Sequence, residues 1–168
     1  MNYVLYLSYY YAKQHQNSVT RYQKVKNNLT PELLIQTQFL LTDSYLALKQ
    51  PDKAEKVLGD INQYRENGTY VKSLYFKSRI KQGQNNPNLA IRTLLRIYYL
   101  PKTKKINKYA ILLKITDIYL KSNNPEAANK YWKDVHYNSI RKVKPLKDLY
   151  FKLKSEIIVR RTKKKEAA

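Results

Sequence analysis

The sequence predicts an all-α fold, a solenoid of antiparallel helix pairs with about four repeats and a closing C-terminal helix. Three observations lead there. The 168 residues hold 3 Gly and 6 Pro, too few to turn the many strands of an all-β sandwich. A segment repeats without a gap: Leu41 to Ile61 laid over Ile115 to Val135 pairs Thr42 with Thr116, Asp43 with Asp117, Tyr45 with Tyr119, Pro51 with Pro125, Ala54 with Ala128 and Asp60 with Asp134, a shift of 74 residues. Between these copies, Pro87, Ala90, Leu94 and Ile97 repeat the spacing of Pro51, Ala54, Leu58 and Ile61, so the unit is 36 to 38 residues, the length of a two-helix repeat.

Each element has a local reason. Thr30-Pro31-Glu32 reads as an N-cap, a proline at the first helical position and an acid suited to the helix dipole. The helix that follows, Pro31 to Lys49, carries Leu34, Phe39, Leu41, Tyr45, Leu46 and Leu48 on more than a narrow stripe, as a helix touched on two sides would. Pro51 opens a second helix with Ala54, Val57, Leu58 and Ile61 at three- and four-residue spacing. Asn86-Pro87 and Asn124-Pro125-Glu126 repeat that start with a better cap. The breaks Asn67-Gly68, Lys81-Gln82-Gly83 and Tyr137-Asn138-Ser139 complete a set of helices over Tyr3 to Gln14, Ser18 to Asn27, Pro31 to Lys49, Pro51 to Arg65, Tyr70 to Lys81, Pro87 to Tyr99, Lys105 to Lys121, Pro125 to Tyr137 and Leu146 to Arg161. Leu74-Tyr75-Phe76-Lys77 is echoed by Leu149-Tyr150-Phe151-Lys152, which predicts a further first helix after Pro145. Residues 1–161 then form one helical-repeat domain, paired over 3–27, 31–65, 70–99 and 105–137 with a last helix over 146–161, and 162–168 is a basic, disordered tail.

These residues resemble the tetratricopeptide-repeat family. Its pattern of a large apolar residue, a Tyr four positions on, a small Ala at the helix crossing and a bulky residue after it is matched by Leu41, Tyr45, Ala54 and Leu58, and by Ile115, Tyr119, Ala128 and Trp132. Ala90 and Leu94 carry the second-helix half in the middle copy, where the Gly83-to-Asn86 connection reads as about two residues longer. Departures exist: Thr42 and Thr116 replace the usual small residue, Ile61 and Val135 replace the second small position, and the closing proline is missing. The resemblance covers Pro31 to Tyr137 and implies a right-handed solenoid whose first helices line a groove for a partner segment.

Chemistry is sparse. With no Cys, thiolate metal sites, disulfides and a cysteine nucleophile are excluded. His15 and His136 have no ligand-spaced partner, Gly59, Gly68 and Gly83 form no phosphate loop, and Asp43 and Asp117 are equivalent repeat positions suited to a hydrogen bond or ion pair between adjacent helices. No catalytic residue, cofactor, metal site or small-molecule substrate is expected. No stretch reaches the roughly 20 apolar residues of a membrane span, and the apolar start through Tyr11 makes a poor signal peptide, so the expected location is cytoplasmic or otherwise intracellular.

Charge is the strongest functional pointer. The net charge is +21, from 33 Lys and Arg against 12 Asp and Glu, and no acid lies between Asn67 and Thr116. Such a field favours an anionic partner. Candidate contacts on first helices are Lys72, Lys77, Arg79, Lys108 and Lys114, with Gln36 and Asn107 beside them. Two further clusters, Lys102, Lys104, Lys105 and Lys108, then Arg141, Lys142, Lys144 and Lys147, occupy successive inter-repeat connections, which a solenoid brings to one edge. The expected role is a scaffold or adaptor that binds another protein through an acidic segment. The alternative is a ribonucleoprotein-associated protein that places this edge and the tail on phosphates. The 17 Tyr are read chiefly as packing, with Tyr9 to Tyr11 and Tyr98-Tyr99 as the clusters able to stack bases.

Overall fold

A computed structural model describes residues 2–61, 67–101 and 103–166. Among the described residues every regular element is helical: α1 (Asn2–Tyr11), α2 (His15–Val25) with a 3-10 turn at Lys26–Asn28, α3 (Pro31–Ala47), α4 (Pro51–Ile61), α5 (Asn67–Gly83), α6 (Pro87–Tyr98), α7 (Lys105–Lys121), α8 (Pro125–Lys133), the short α9 (Tyr137–Ile140) and α10 (Lys144–Glu166). The chain divides into two compact units, Met1–Asn86 and Pro87–Ala168.

One backbone device stops four of the helices. Lys13, Lys49, Asn85 and Asn123 have φ of 59°, 57°, 54° and 55° and stand 36, 36 and 38 residues apart. In each case the next amide reaches back into the last helical turn: Gln14 N to Tyr9 O 2.9 Å, Gln50 N to Tyr45 O 2.8 Å, Asn86 N to Lys81 O 2.8 Å and Asn124 N to Tyr119 O 2.9 Å. A left-handed residue at the helix end satisfies carbonyls that would otherwise lack partners. The following helix starts two residues later at His15, Pro51, Pro87 and Pro125. Thr30 Oγ1 accepts from Leu33 N at 3.4 Å and Asn124 Oδ1 from Ala127 N at 3.1 Å, so two of the predicted caps are formed.

This spacing corrects one expectation. The Gly83-to-Asn86 connection is no longer than its counterparts, because the left-handed residue precedes the proline by two positions in all three copies. The two extra residues lie between Pro87 and Lys105. The middle copy fails to match in its first helix for another reason: α5 keeps the register but has Lys77, Ser78, Arg79 and Lys81 where α3 has Leu41, Thr42, Asp43 and Tyr45.

In the N-terminal unit, α3 packs against α2, α4 and α5. Ala54 is fully buried among Phe39, Leu58, Phe76 and Ile80, and the Phe39 and Phe76 rings stack with centroids 5.4 Å apart. A second cluster seats Tyr6, Tyr22 and Val25 on Leu41, with the Tyr6 hydroxyl donating to Thr37 O at 2.9 Å. Each large side chain so buried contributes about 1.5–3 kcal/mol relative to exposure. At Gly83 an added Cβ would come within 3.1 Å of the Pro51 Cβ, so the end of α5 lies against the start of α4 at a distance only Gly meets without adjustment.

In the C-terminal unit α7 packs against α6 and α8, and α10 packs on α8 and α7. Ala128 is fully buried with Leu113, Leu120, Leu153 and Ile157. Phe39 and Leu113, like Ala54 and Ala128, are 74 residues apart, so the sequence repeat is also a packing repeat. Thr42 and Thr116 are both fully buried, and each donates its hydroxyl four residues back, to Gln38 O at 2.8 Å and Leu112 O at 2.9 Å. Ser78 occupies the same place in α5, 1% exposed and bonded to Tyr75 O at 2.7 Å. A small side chain that satisfies its own hydroxyl lets a helix be crossed at close range without an unpaired polar group.

Several boundaries move. The helix expected over Pro125 to Tyr137 stops at Lys133; Val135 turns into the core, His136 is extended, and α9 follows. The helix expected to end at Arg161 begins at Lys144 and continues through Glu166, so residues 162–166 are helical rather than disordered. Arg160 Nη1 donates to Leu120 O at 2.6 Å and Arg161 Nε to Glu126 at 3.2 Å, which fastens that end to α7 and α8. For the helix expected over Pro51 to Arg65 the described part ends at Ile61, and residues 62–66 lie outside the described residues.

Candidate functional site

The basic residues selected from sequence fall into two sets by unit. On α5, Lys77 is exposed, and Lys72 holds its ammonium 4.4 Å from the Phe39 ring centroid, where partial burial lowers its pKa. Arg79 is engaged otherwise. It pairs with Asp43, lies over the Phe76 ring at 5.4 Å, and shares Asp43 with Tyr10, whose hydroxyl donates at 2.8 Å. Asp43 therefore joins α1, α3 and α5. The Tyr10 pKa is pushed up to about 12, first by burial and then by its hydrogen bond to the Asp43 carboxylate.

On α7, Lys105 and Lys108 rest 6.0 Å and 5.4 Å from the rings of Tyr109 and Tyr98, and Lys104 and Lys114 are exposed. None of these four makes an ion pair with an acid among the described residues. Lys102 lies outside the described residues. Arg141, Lys142 and Lys144 are exposed around the α9 to α10 junction. The Tyr109 ring meets His136 at 5.7 Å, which sets the first turns of α7 beside the segment leading into α9. Gln36 and Asn107 are exposed on α3 and α7.

The repeat positions are structural. Leu41, Ala54, Leu58, Ala90, Leu94, Ile115 and Ala128 are all at most 3% exposed, whereas Tyr45, Tyr119 and Trp132 are half-buried. Tyr119 stacks on Tyr131 at 5.4 Å and Trp132 lies 4.9 Å from Tyr150. The equivalent acid Asp117 does not bridge helices as Asp43 does; it pairs with Lys121 one turn along α7 at 2.8 Å.

Sequence reasoning missed a polar seam between α4 and α5. Lys81 Nζ donates to Glu55 at 2.7 Å and to Gln84 at 2.8 Å, while Gln84 Nε2 donates to Glu55 and to Asp52, each at 2.8 Å. The Lys81 and Gln84 hydrogen bonds hold the Glu55 pKa below its usual value. It also missed a groove of about 350 Å³ between α8 and α10, lined by Trp132, Lys154, Ile157, Ile158 and Arg161. The seam had no signal, because its partners are 26 to 32 residues apart. The groove had one: Lys154, Ile157, Ile158 and Arg161 fall at three- and four-residue spacing along one face of α10.

Among the described residues no group of three or more His, Asp or Glu could hold a metal ion, and no helix is long and apolar enough to cross a membrane. His15 and His136 sit at helix starts, His15 with a ring nitrogen 3.3 Å from Ser44 Oγ. Comparison with family models, curated proteins and solved structures finds no match.

Proposed function

We propose that this chain is a non-enzymatic scaffold or adaptor, a degenerate relative of the tetratricopeptide repeats, that holds a partner protein by an acidic segment against basic first-helix surfaces. The observation that carries the reading is the placement of unneutralised cations: Lys77 on α5 and Lys104, Lys105, Lys108 and Lys114 at or on α7 make no acid pair among the described residues, while Arg79, Lys81 and Arg161 are committed to pairs that fasten helices together and Lys121 and Lys152 to pairs along their own helices. A surface that keeps such charges in water favours encounter with an anionic segment. The recurrent left-handed turn and the buried Ala54, Ala90 and Ala128 support the family likeness.

A second reading has its own observation. Tyr99 is 73% exposed, its ring is 5.0 Å from that of Tyr98, and Lys108 lies over Tyr98, an aromatic and cation arrangement suited to an unpaired nucleobase and its phosphate. Affinity capture at low and high salt, with and without nuclease, separates the two. A protein partner that survives nuclease and is lost on Lys77→Glu with Lys114→Glu supports the scaffold; partners that vanish with nuclease, and on Tyr99→Ala, support the nucleic-acid reading.

A further inference from the structure

We propose that the outer face of α10, with the groove it forms against α8, receives an acidic amphipathic helix of a partner protein. The argument starts from how apolar residues are distributed. Helices α4, α6 and α8 gather theirs on one face, whereas α3, α7 and α10 carry them around the circumference. Helix α3 is flanked by α2, α4 and α5, and α7 by α6, α8 and α10. Helix α10 buries Leu153 and Ile157 on α7 and α8 and meets α9, where the Phe151 and Tyr137 rings lie 5.4 Å apart, and much of its outer side is exposed. There Phe151, Ile158 and Val159 are 43%, 56% and 52% exposed, although the sequence counterpart of Phe151, Phe76, is 8% exposed.

Phe151, Ser155, Ile158 and Thr162 fall at i, i+4, i+7 and i+11, a straight stripe that one further helix would cover. Trp132 and Ile157 extend the apolar surface into the adjoining groove of about 350 Å³. The shape suits a helix because a helix presents its own side chains at this same three- and four-residue spacing. The charge selects the partner. Lys147, Lys154 and Arg161 run along one flank of the stripe, Lys154 is 5.9 Å from the Trp132 ring, and Arg161 already holds the exposed carboxylate of Glu126 at 3.2 Å. A second copy, with a net charge of +21, is repelled at this rim, whereas a helix with an apolar stripe edged by Glu is attracted.

The test uses the full chain and a fluorescent peptide of about five helical turns with Leu at i, i+4, i+7 and i+11 and Glu along both edges, beside a scrambled peptide of the same composition. The patterned peptide should bind and the scrambled one should not. Ile158→Glu should weaken binding at least about tenfold, and Phe151→Ser and Lys154→Glu should weaken it less. Ile158→Glu changes an exposed side chain, and an unchanged far-UV spectrum and thermal midpoint check that the fold persists. Lys77→Glu with Lys114→Glu, which tests the first-helix reading, should leave this binding unaltered, so the two proposals fail separately. Equal binding of the scrambled peptide, no binding of either, or no effect of Ile158→Glu overturns the inference. So does a wild-type dimer in sedimentation that Ile158→Glu dissociates, because the occupant is then a second copy.

Discussion

Asp43 and Asp117 occupy the same repeat position, one in each compact unit, yet they act differently. Asp43 accepts from Tyr10 and pairs with Arg79, so three helices meet on one carboxylate, while Asp117 reaches only Lys121 on its own helix. The difference lies in the neighbours. Helix α5 brings Arg79 to α3, whereas α10, which packs on α7, has no acid-seeking arginine paired there and fastens instead through Arg160 to the Leu120 carbonyl. A repeated residue therefore fixes where a group stands, and the adjoining helix decides what it does.

The strongest way to strain that comparison is at the positions that do behave alike. Ala54→Leu and Ala128→Leu should each destabilise by about 2 kcal/mol, since both alanines are fully buried at helix crossings with no room for added carbons. Urea unfolding with hydrogen exchange read separately over the two units checks this, and similar losses are expected in each. Divergence is expected one step down: Asp43→Ala should cost about 1–2 kcal/mol because it strands Tyr10 and Arg79 together, and Asp117→Ala only about 0.3–0.5 kcal/mol, the worth of an exposed one-turn pair. Equal losses would mean that the bridging by Asp43 adds nothing.

Smaller effects sharpen the picture. Lys49→Gly should stabilise by about 0.5 kcal/mol, because lysine with φ of 57° sits in the left-handed region, and Asn123→Gly should gain less, since asparagine tolerates that region. Thermal midpoints measure both. The weakest expected change is in pH dependence. The folded Tyr10 pKa of about 12 lies above the ordinary tyrosine value of 10.0, so its contribution is fully present below pH 10 and is lost as pH rises toward 12. Asp43→Asn should bring that titration down, as read by tyrosinate absorbance, and so make the loss of stability between pH 10 and 12 smaller.

Much of the helical order was legible in the sequence, and the reasons are local. Pro31, Pro51, Pro87 and Pro125 begin helices because proline suits a first helical position, and the period of Ala54, Leu58 and Phe39 marks the buried sides. The stops were harder to read. Lys49, Asn85 and Asn123 close helices in a conformation for which glycine is the usual sign, and lysine gives none. The extent of α10 was hidden for another reason: a run of Lys and Arg reads as solvated chain until Leu120 and Glu126, far away in sequence, supply acceptors for Arg160 and Arg161. Of the candidate surface, the charge could be read directly, but not which cations are already committed, because that depends on pairings across tens of residues.

Arg79 makes that last point concrete. A count of positive side chains treats it as equivalent to Lys77 two residues away, but drawing it toward an incoming carboxylate would unclasp Asp43, leaving Tyr10 alone on the other carboxylate oxygen. Any ligand that recruits Arg79 must loosen the joint between α3 and α5, so this arginine can report mechanical slack in the N-terminal unit as well as charge.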